Sequence, residues 1–152
     1  MIKNLPYKKS SKLLNIDNNA KTVKGQKKGY KTAILYLAPS TQSGFQVCPM
    51  AGHGAFSNVQ QGRINKTRWF MQDRQSFLTQ LKKEISNHIK NCDKKGYIPC
   101  VRLNGTSDIS WENYDIIQAF PNVQFYDYTK IYKRALKYVN GQYPSNYHIT
   151  YS

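Results

Sequence analysis

The segment Lys31-Thr-Ala-Ile-Leu-Tyr-Leu-Ala38, which Pro39 follows, decides the fold class of this chain. It is a run rich in β-forming residues that a breaker ends, the pattern of a buried strand. Similar runs follow at Tyr97 to Leu103, Asn122 to Tyr126 and Tyr147 to Tyr151. Because helical patterns separate most of these runs, we expect parallel strands that are joined by β-α-β crossovers.

Helices are predicted between these strands. They run from about Phe56 to Met71, from Asp73 to about Cys92, from Ser110 to Phe120 and from Lys130 to Val139. The second helix has an apolar stripe that includes His88 and Cys92, so we expect both to pack in the core rather than bind a ligand. The prediction is an α/β fold, a mainly parallel sheet with flanking helices. Four strands are few for a closed barrel, so the sheet is expected to be open or partial (β/α) barrel-like.

The composition predicts two segments, a basic flexible N-terminal arm over residues 1–30 and an α/β domain over residues 31–152. The arm is polar and rich in lysine, so we expect it to be extended, with at most a short strand, until it meets a partner. No run of apolar residues approaches the ~20 that span a bilayer, and the first residues lack the apolar region of a signal peptide. A cytoplasmic protein without membrane association is predicted.

Charge is the strongest global signal. The formal net charge is +15, from 23 Lys and Arg against 8 Asp and Glu. Such a field favours nucleic acid, an acidic protein or a phosphorylated ligand. Lysine-rich usage is also typical of AT-rich genomes without any selection for binding, and composition leaves both interpretations open.

Polar residues cluster where the second and third predicted strands end. In parallel α/β folds the loops beyond the carboxyl ends of strands form the ligand site, and hydroxyl and backbone N–H groups there suit an anion. Helix capping explains some of the same residues, and we leave that alternative open. Arginine grips phosphate or carboxylate through two hydrogen bonds, which adds two arginines to the set. The predicted anion- or ligand-binding residues are Arg63, Arg102, Asn104, Thr106, Ser107, Asp108, Asp127 and Lys130.

The stretch Tyr126-Asp-Tyr128-Thr-Lys130-Ile-Tyr132-Lys133-Arg134 interleaves aromatic and basic residues, which could stack on nucleic-acid bases. On a helix, Tyr128, Tyr132 and Tyr138 would instead share a stripe that is more typical of a core. No phosphate-binding loop, GxGxxG turn or nucleophile elbow is present. Cys48, Cys92 and Cys100 form no metal-ligand pattern, and we expect reduced thiols.

Short motifs follow one another in a fixed order along the chain. They are Lys21-Thr-Val-Lys-Gly25, Ile34-Leu-Tyr-Leu-Ala-Pro39, Cys48-Pro49, Gly54-Ala-Phe-Ser-Asn-Val-Gln60, Arg63-Ile-Asn-Lys-Thr67, Val101-Arg-Leu-Asn-Gly-Thr-Ser-Asp108 and Phe125-Tyr-Asp-Tyr-Thr-Lys130. Together they resemble the phage gene product 88 domain family. The resemblance implies a bacteriophage protein that acts in the host cytoplasm, and it supplies no established activity.

The same resemblance suggests an enzymatic alternative. Members of that family usually carry a cysteine-rich stretch that is similar to the cluster loop of S-adenosylmethionine radical enzymes. Here Met50-Ala51 leads directly into Gly52-His53-Gly54, so Cys48 stands alone where a [4Fe–4S] cluster needs at least three thiolates.

Three functions are therefore predicted, in order of preference. The first is a small basic protein without a cofactor that binds an anionic partner, with nucleic acid as the leading candidate. The second is a divergent or remnant enzyme that uses an Fe–S cluster and S-adenosylmethionine. The third is a phage inhibitor that masks an acidic host protein.

Overall fold

The computed structural model describes residues 4–16, 29–47 and 61–152, and it places five strands in one sheet. The strands are β1 (Leu14–Ile16), β2 (Tyr30–Leu35), β3 (Ile98–Arg102), β4 (Gln124–Thr129) and β5 (Tyr147–Tyr151). They lie in the sheet in sequence order. β1 is antiparallel to β2, and the three remaining neighbouring pairs are parallel. Within the described residues the sheet is not closed, because β1 and β5 are its edges. The predicted α/β class with a mainly parallel sheet is confirmed.

Four α-helices and one short 3-10 helix accompany the described strands. They are α1 (Ser40–Ser43), α2 (Gln61–Gln72), α3 (Arg74–Lys95), α4 (Tyr132–Val139) and the 3-10 helix Trp111–Tyr114. None of them combines the length and the apolar character that crossing a bilayer requires.

The two faces of the sheet differ because strand side chains alternate in direction. Ala33, Leu35, Val101 and Phe125 belong to the hydrophobic core, together with residues of α2 and α3 and the 3-10 helix. The residues between them point the other way and are outside the core cluster. We call this side the second face, and its residues at the centre of the sheet are Ile34, Cys100, Arg102, Tyr126 and Tyr128.

Helix α3 forms much of the core wall, as its apolar stripe predicts. Phe77, Leu81 and Ile85 are buried, and His88 and Cys92 continue the same buried line. The helix ends at Gly96, whose φ of 74° is a conformation that glycine adopts without strain. The predicted packing roles of His88 and Cys92 are consistent with this burial.

Two predicted strand ends are wrong. Strand β2 ends at Leu35 instead of Ala38, because the backbone N–H groups of Leu37 and Ala38 bond to side-chain hydroxyls and not to a neighbouring strand. The Thr106 hydroxyl lies 2.9 Å from Leu37 N, and the Thr67 hydroxyl accepts from Ala38 N at 2.8 Å. Strand β4 runs to Thr129 instead of Tyr126, because its pairing with β5 continues as far as Thr129 opposite Tyr151.

Two predicted helices are shorter than expected. Residues Ser110 to Phe120 contain only the 3-10 helix, which Asp115 ends with a φ of 57°. Helix α4 begins at Tyr132 rather than Lys130, because the backbone N–H groups of Lys130 and Ile131 donate to side chains of Asp108 and Thr129. Helix α2 ends at Gln72, close to the predicted end, and residues 56–60 lie outside the described residues.

The described part of the predicted arm packs on the domain. Leu13 and Leu14 are fully buried, and the Glu84 carboxylate on α3 accepts from their backbone N–H groups. Lys66 donates to the Leu13 carbonyl at 3.0 Å, and burial lowers the pKa of its ammonium. Residues 4–16 are therefore not a free arm. Residues 17–28 lie outside the described residues, and the division at residue 30 stays a prediction.

The loop after β3 approaches β2 closely, and this contact is testable at Gly105. A Cβ at this position would lie 2.7 Å from the Leu35 carbonyl oxygen and 2.7 Å from Ile34 Cγ2. Gly105→Ala should lower the free energy of unfolding by about 1–3 kcal/mol, measured by chemical denaturation. Gly62→Ala is the control, because nothing lies within 4 Å of its Cβ. Equal stabilities of the two variants would contradict the close approach.

Candidate functional site

Asn104 is the centre of a buried polar network at the carboxyl ends of β3 and β4. Its Oδ1 accepts from Ser107 Oγ at 2.7 Å and from Trp111 Nε1 at 2.9 Å. The same oxygen accepts from Ile109 N at 3.0 Å. Its Nδ2 donates to the Ile109 carbonyl and to the carboxylate of Asp127. Asn104 therefore fixes the loop after β3 and joins it to β4.

Asp108 holds the segment that leads from β4 into α4. The Thr129 hydroxyl donates to it at 2.9 Å, and the backbone N–H of Lys130 donates at 3.0 Å. Arg134 of α4 completes the set with an ion pair to Asp108, in which both side chains are about 95% buried. Asp108 does not cap the 3-10 helix that follows it, which begins without a side-chain cap, and it accepts instead from the backbone N–H of Lys130, ahead of α4.

Arg134 and Tyr147 connect these two carboxylates. Arg134 Nη2 donates to the Tyr147 hydroxyl at 2.9 Å, and that hydroxyl donates to Asp127 Oδ2 at 2.9 Å. Burial opposes the charge of Arg134, but Tyr147, Glu112 and Asp108 outweigh it and raise its pKa. Burial also raises the pKa of the Tyr147 hydroxyl. Asp108, Asp127, Arg134 and Tyr147 thus form one internal network.

The structure brings four predicted residues together, namely Asn104, Ser107, Asp108 and Asp127. This is the convergence expected for the carboxyl ends of parallel strands. Their side chains nevertheless find partners inside the protein, so the network holds the strand ends and offers little to a ligand. Thr106 also acts internally, because its hydroxyl donates to the Leu37 carbonyl at 2.6 Å. Lys130 contributes its backbone N–H, and its side chain is exposed.

Arg102 lies outside this network, on the second face. The residue is 8% exposed, and its Nε is buried without a hydrogen-bond partner. Its guanidinium lies over the ring of Tyr128, 5.0 Å from the ring centroid. Among the described residues it has no hydrogen-bond acceptor at all, although a guanidinium carries five N–H donors.

Arg63 shows the same arrangement at the start of α2. Its guanidinium lies over the Tyr36 ring, 4.7 Å from the centroid, and donates no hydrogen bond to a described residue. The other three arginines differ. Arg68 donates to the carbonyls of Pro6 and Ser43, Arg74 to Met71 Sδ, and Arg134 to Asp108. Arg63 and Arg102 are therefore the two arginines that donate no hydrogen bond to a described residue, although the Nε atoms of Arg74 and Arg134 also lack a partner.

Two residues of this region, Arg134 and Tyr147, escape the sequence analysis as members of a buried network. For Tyr128 the sequence left open a base-stacking ring or a helical core stripe, and the helical alternative is wrong, because Tyr128 lies on β4 and is 46% exposed. Arg134 and Tyr147 carry no local signal of burial in the sequence. The one available hint is electrostatic: two buried carboxylates need a buried cation, and Arg134 is the single arginine after Arg102.

The described residues offer no site for the proposed iron–sulfur alternative. They contain no group of three or more His, Cys, Asp or Glu side chains that could hold a metal. Cys92 and Cys100 are buried, and burial raises the pKa of the Cys100 thiol to about 11. Cys48 lies outside the described residues.

Comparison with known proteins identifies a family without supplying an activity. A family model described as Gene product 88 matches residues 11–152. No curated protein and no solved structure matches the chain significantly. The family resemblance of the sequence motifs is confirmed, and the likeness to S-adenosylmethionine radical enzymes receives no support.

The network predicts that stability depends on the ionisation of Asp127. Burial raises the pKa of its carboxyl group to about 7, although Asn104 and Tyr147 donate to it. In the unfolded chain the same carboxyl group has a pKa of about 3.9. Its contribution to stability is therefore complete below about pH 4 and is lost as the pH rises through about 7.

Urea denaturation at a series of pH values tests this expectation. The free energy of unfolding should fall between about pH 4 and pH 7 in the wild-type protein. Asp127→Asn should reduce that fall, because the variant cannot titrate at this position. Asp93→Asn is the matched control, since Asp93 is exposed on α3. The same pH profile in wild type and Asp127→Asn would contradict the assignment.

Proposed function

The chain belongs to the Gene product 88 family, and from that premise we propose that it is a phage protein that binds an anionic partner, with nucleic acid as that partner. We place this activity in the host cytoplasm and outside membranes, as the resemblance implies. The observation that carries the proposal is Arg102, a residue that is 8% exposed, whose Nε is buried and whose guanidinium donates to no described acceptor.

The cost of this arrangement supports a role in binding. Burying a charged donor without a partner costs free energy, and a structural role would ordinarily supply an acceptor. At Arg134, where arginine stabilises the fold, both Nη groups have such acceptors and only Nε lacks one, whereas no N–H group of Arg102 donates to a described residue. Cation–π contact with Tyr128 offsets part of the cost at Arg102 and leaves its N–H groups for an external anion. An oxyanion that accepts two parallel hydrogen bonds fits this chemistry best.

The charge distribution favours a polyanion over a small anion. The net charge is +15, and the ion pairs between described residues involve only Lys9, Lys82 and Arg134 as cations. Exposed lysines on α3 and α4 therefore add a long-range field that is screened by salt. The exposed ring of Tyr128 beside Arg102 favours a nucleic acid over an acidic protein surface, because phosphates and bases would both find partners.

Arg102→Gln tests the proposal through nucleic-acid binding measured by fluorescence anisotropy. Wild-type affinity should fall steeply between about 50 and 200 mM salt, because the release of counterions from the nucleic acid contributes less free energy at higher salt. The variant should bind about tenfold more weakly at fixed salt, with a salt slope reduced by about one. Arg102→Lys should recover part of the loss, since it keeps the charge without the guanidinium fork.

A charge-matched variant separates this site from the general field. Lys83→Gln removes one positive charge from the exposed side of α3, which packs on the core face of the sheet. It should weaken binding less than Arg102→Gln does, whereas equal losses would mean that Arg102 acts as bulk charge only. Affinity that does not change with salt would refute nucleic-acid binding of this kind. Retention of a protein from nuclease-treated lysate, with no nucleic acid bound, would favour the inhibitor function instead.

The melting temperature of Arg102→Gln distinguishes a binding role of Arg102 from a role in the stability of the fold. Because Arg102 has no hydrogen bond to lose, Arg102→Gln should leave the melting temperature unchanged or raise it. A marked fall in the melting temperature, together with unchanged binding, would show that Arg102 serves the fold.

A further inference from the structure

Resting on the proposed function, we infer that the exposed part of the second face around Tyr128, on β4 and β5, is a platform for single-stranded nucleic acid, with a base stacked on Tyr128 and a phosphate on Arg102. The geometry that points to this is the contact between the exposed side chain of Tyr128 and the guanidinium of Arg102, a residue that is 8% exposed. Neither group alone would select single strands, since arginine binds any phosphate.

Tyr128 is placed to stack because its strand fixes its direction. It lies on β4 and is paired with Thr150 of β5, while Phe125, Asp127 and Thr129 point to the core face. The guanidinium of Arg102 lies 5.0 Å from the centroid of the Tyr128 ring, and Tyr128 remains 46% exposed. The exposed part of the ring is therefore available to a base.

The neighbours of Tyr128 leave room for such a base. Thr150, its partner on β5, is short and exposed, and His148 is exposed on the same face with the Tyr138 ring packed against it. Lys130 is exposed two residues further along the chain and adds positive charge close to the end of the strand. A short, open and cationic surface around one ring suits an unpaired nucleotide, whose base and phosphate can contact the protein together.

A duplex fits this surface poorly. Its bases are stacked on each other, so their faces are closed to Tyr128 unless a nucleotide is unstacked at a cost in free energy. A single strand presents base faces without that cost, and aromatic stacking tolerates any base sequence. We therefore expect a preference for single strands with little dependence on sequence.

The test compares three labelled probes by competition anisotropy with the full chain: a mixed-sequence single strand, the duplex of the same length, and inorganic polyphosphate, which has charge but no bases. Wild type should bind the single strand at least about fivefold more tightly than the duplex. Tyr128→Leu should weaken single-strand binding about tenfold and leave polyphosphate binding unchanged. Tyr128→Phe keeps the ring and should bind like wild type.

The controls distinguish this inference from the proposed function. Tyr132→Leu removes another exposed ring, which lies on α4 and packs against Tyr151, and it should not change single-strand binding. Equal affinity for single strand and duplex, or unchanged binding by Tyr128→Leu, would overturn the single-strand platform. If Arg102→Gln still weakened every probe in that case, the proposed polyanion binding would stand. Failure of wild type to bind any probe would overturn both.

Discussion

Two buried carboxylates, Asp108 and Asp127, determine how the carboxyl edge of this sheet is built. Each is ionisable and almost fully enclosed, so the chain must supply donors from several directions. Asn104 and Tyr147 donate to Asp127, while Thr129 and Arg134 donate to Asp108. Removing one member of a buried ion pair typically costs about 3–5 kcal/mol, because the remaining charge loses its compensation. The loop after β3, the end of β4, α4 and β5 are thus tied together.

This saturated edge explains why the usual location for a ligand in a parallel α/β sheet is a weak candidate here. The rule that ligands meet the carboxyl ends of strands rests on loops with unused polar groups. In this protein those polar groups are hydrogen-bonded to one another within the protein. Arg102 presents the opposite case, a charged side chain on the second face that the described structure leaves without an acceptor. A buried donor without a partner costs free energy, and this cost is what supports the proposed binding role of Arg102.

The sequence allowed the topology to be predicted better than the ends of its elements. The apolar run from Lys31 identifies β2, but its end depends on hydroxyl groups of Thr67 and Thr106, which are far away in the chain. The convergence of Asn104, Ser107, Asp108 and Asp127 follows from parallel strands alone. The buried position of Arg134 does not, since burial of one basic residue on a lysine-rich helix depends on its packing against Asp108 of the loop after β3 and Glu112 of the 3-10 helix.

Tyr128 shows how the network positions an exposed side chain. The core-facing residues of β4 are Phe125, Asp127 and Thr129. Because two of these buried positions carry polar side chains, the sequence of β4 lacks the usual alternation of apolar and polar residues. The same polar positions anchor β4 to Arg134 and Tyr147 and thereby hold the strand in register with β5. Alternation then directs the side chain of Tyr128 to the second face, beside Arg102. Under the proposed function, a ring and a guanidinium that are fixed in this way would lose little conformational freedom on binding, so the internal network would contribute to affinity without contacting the ligand.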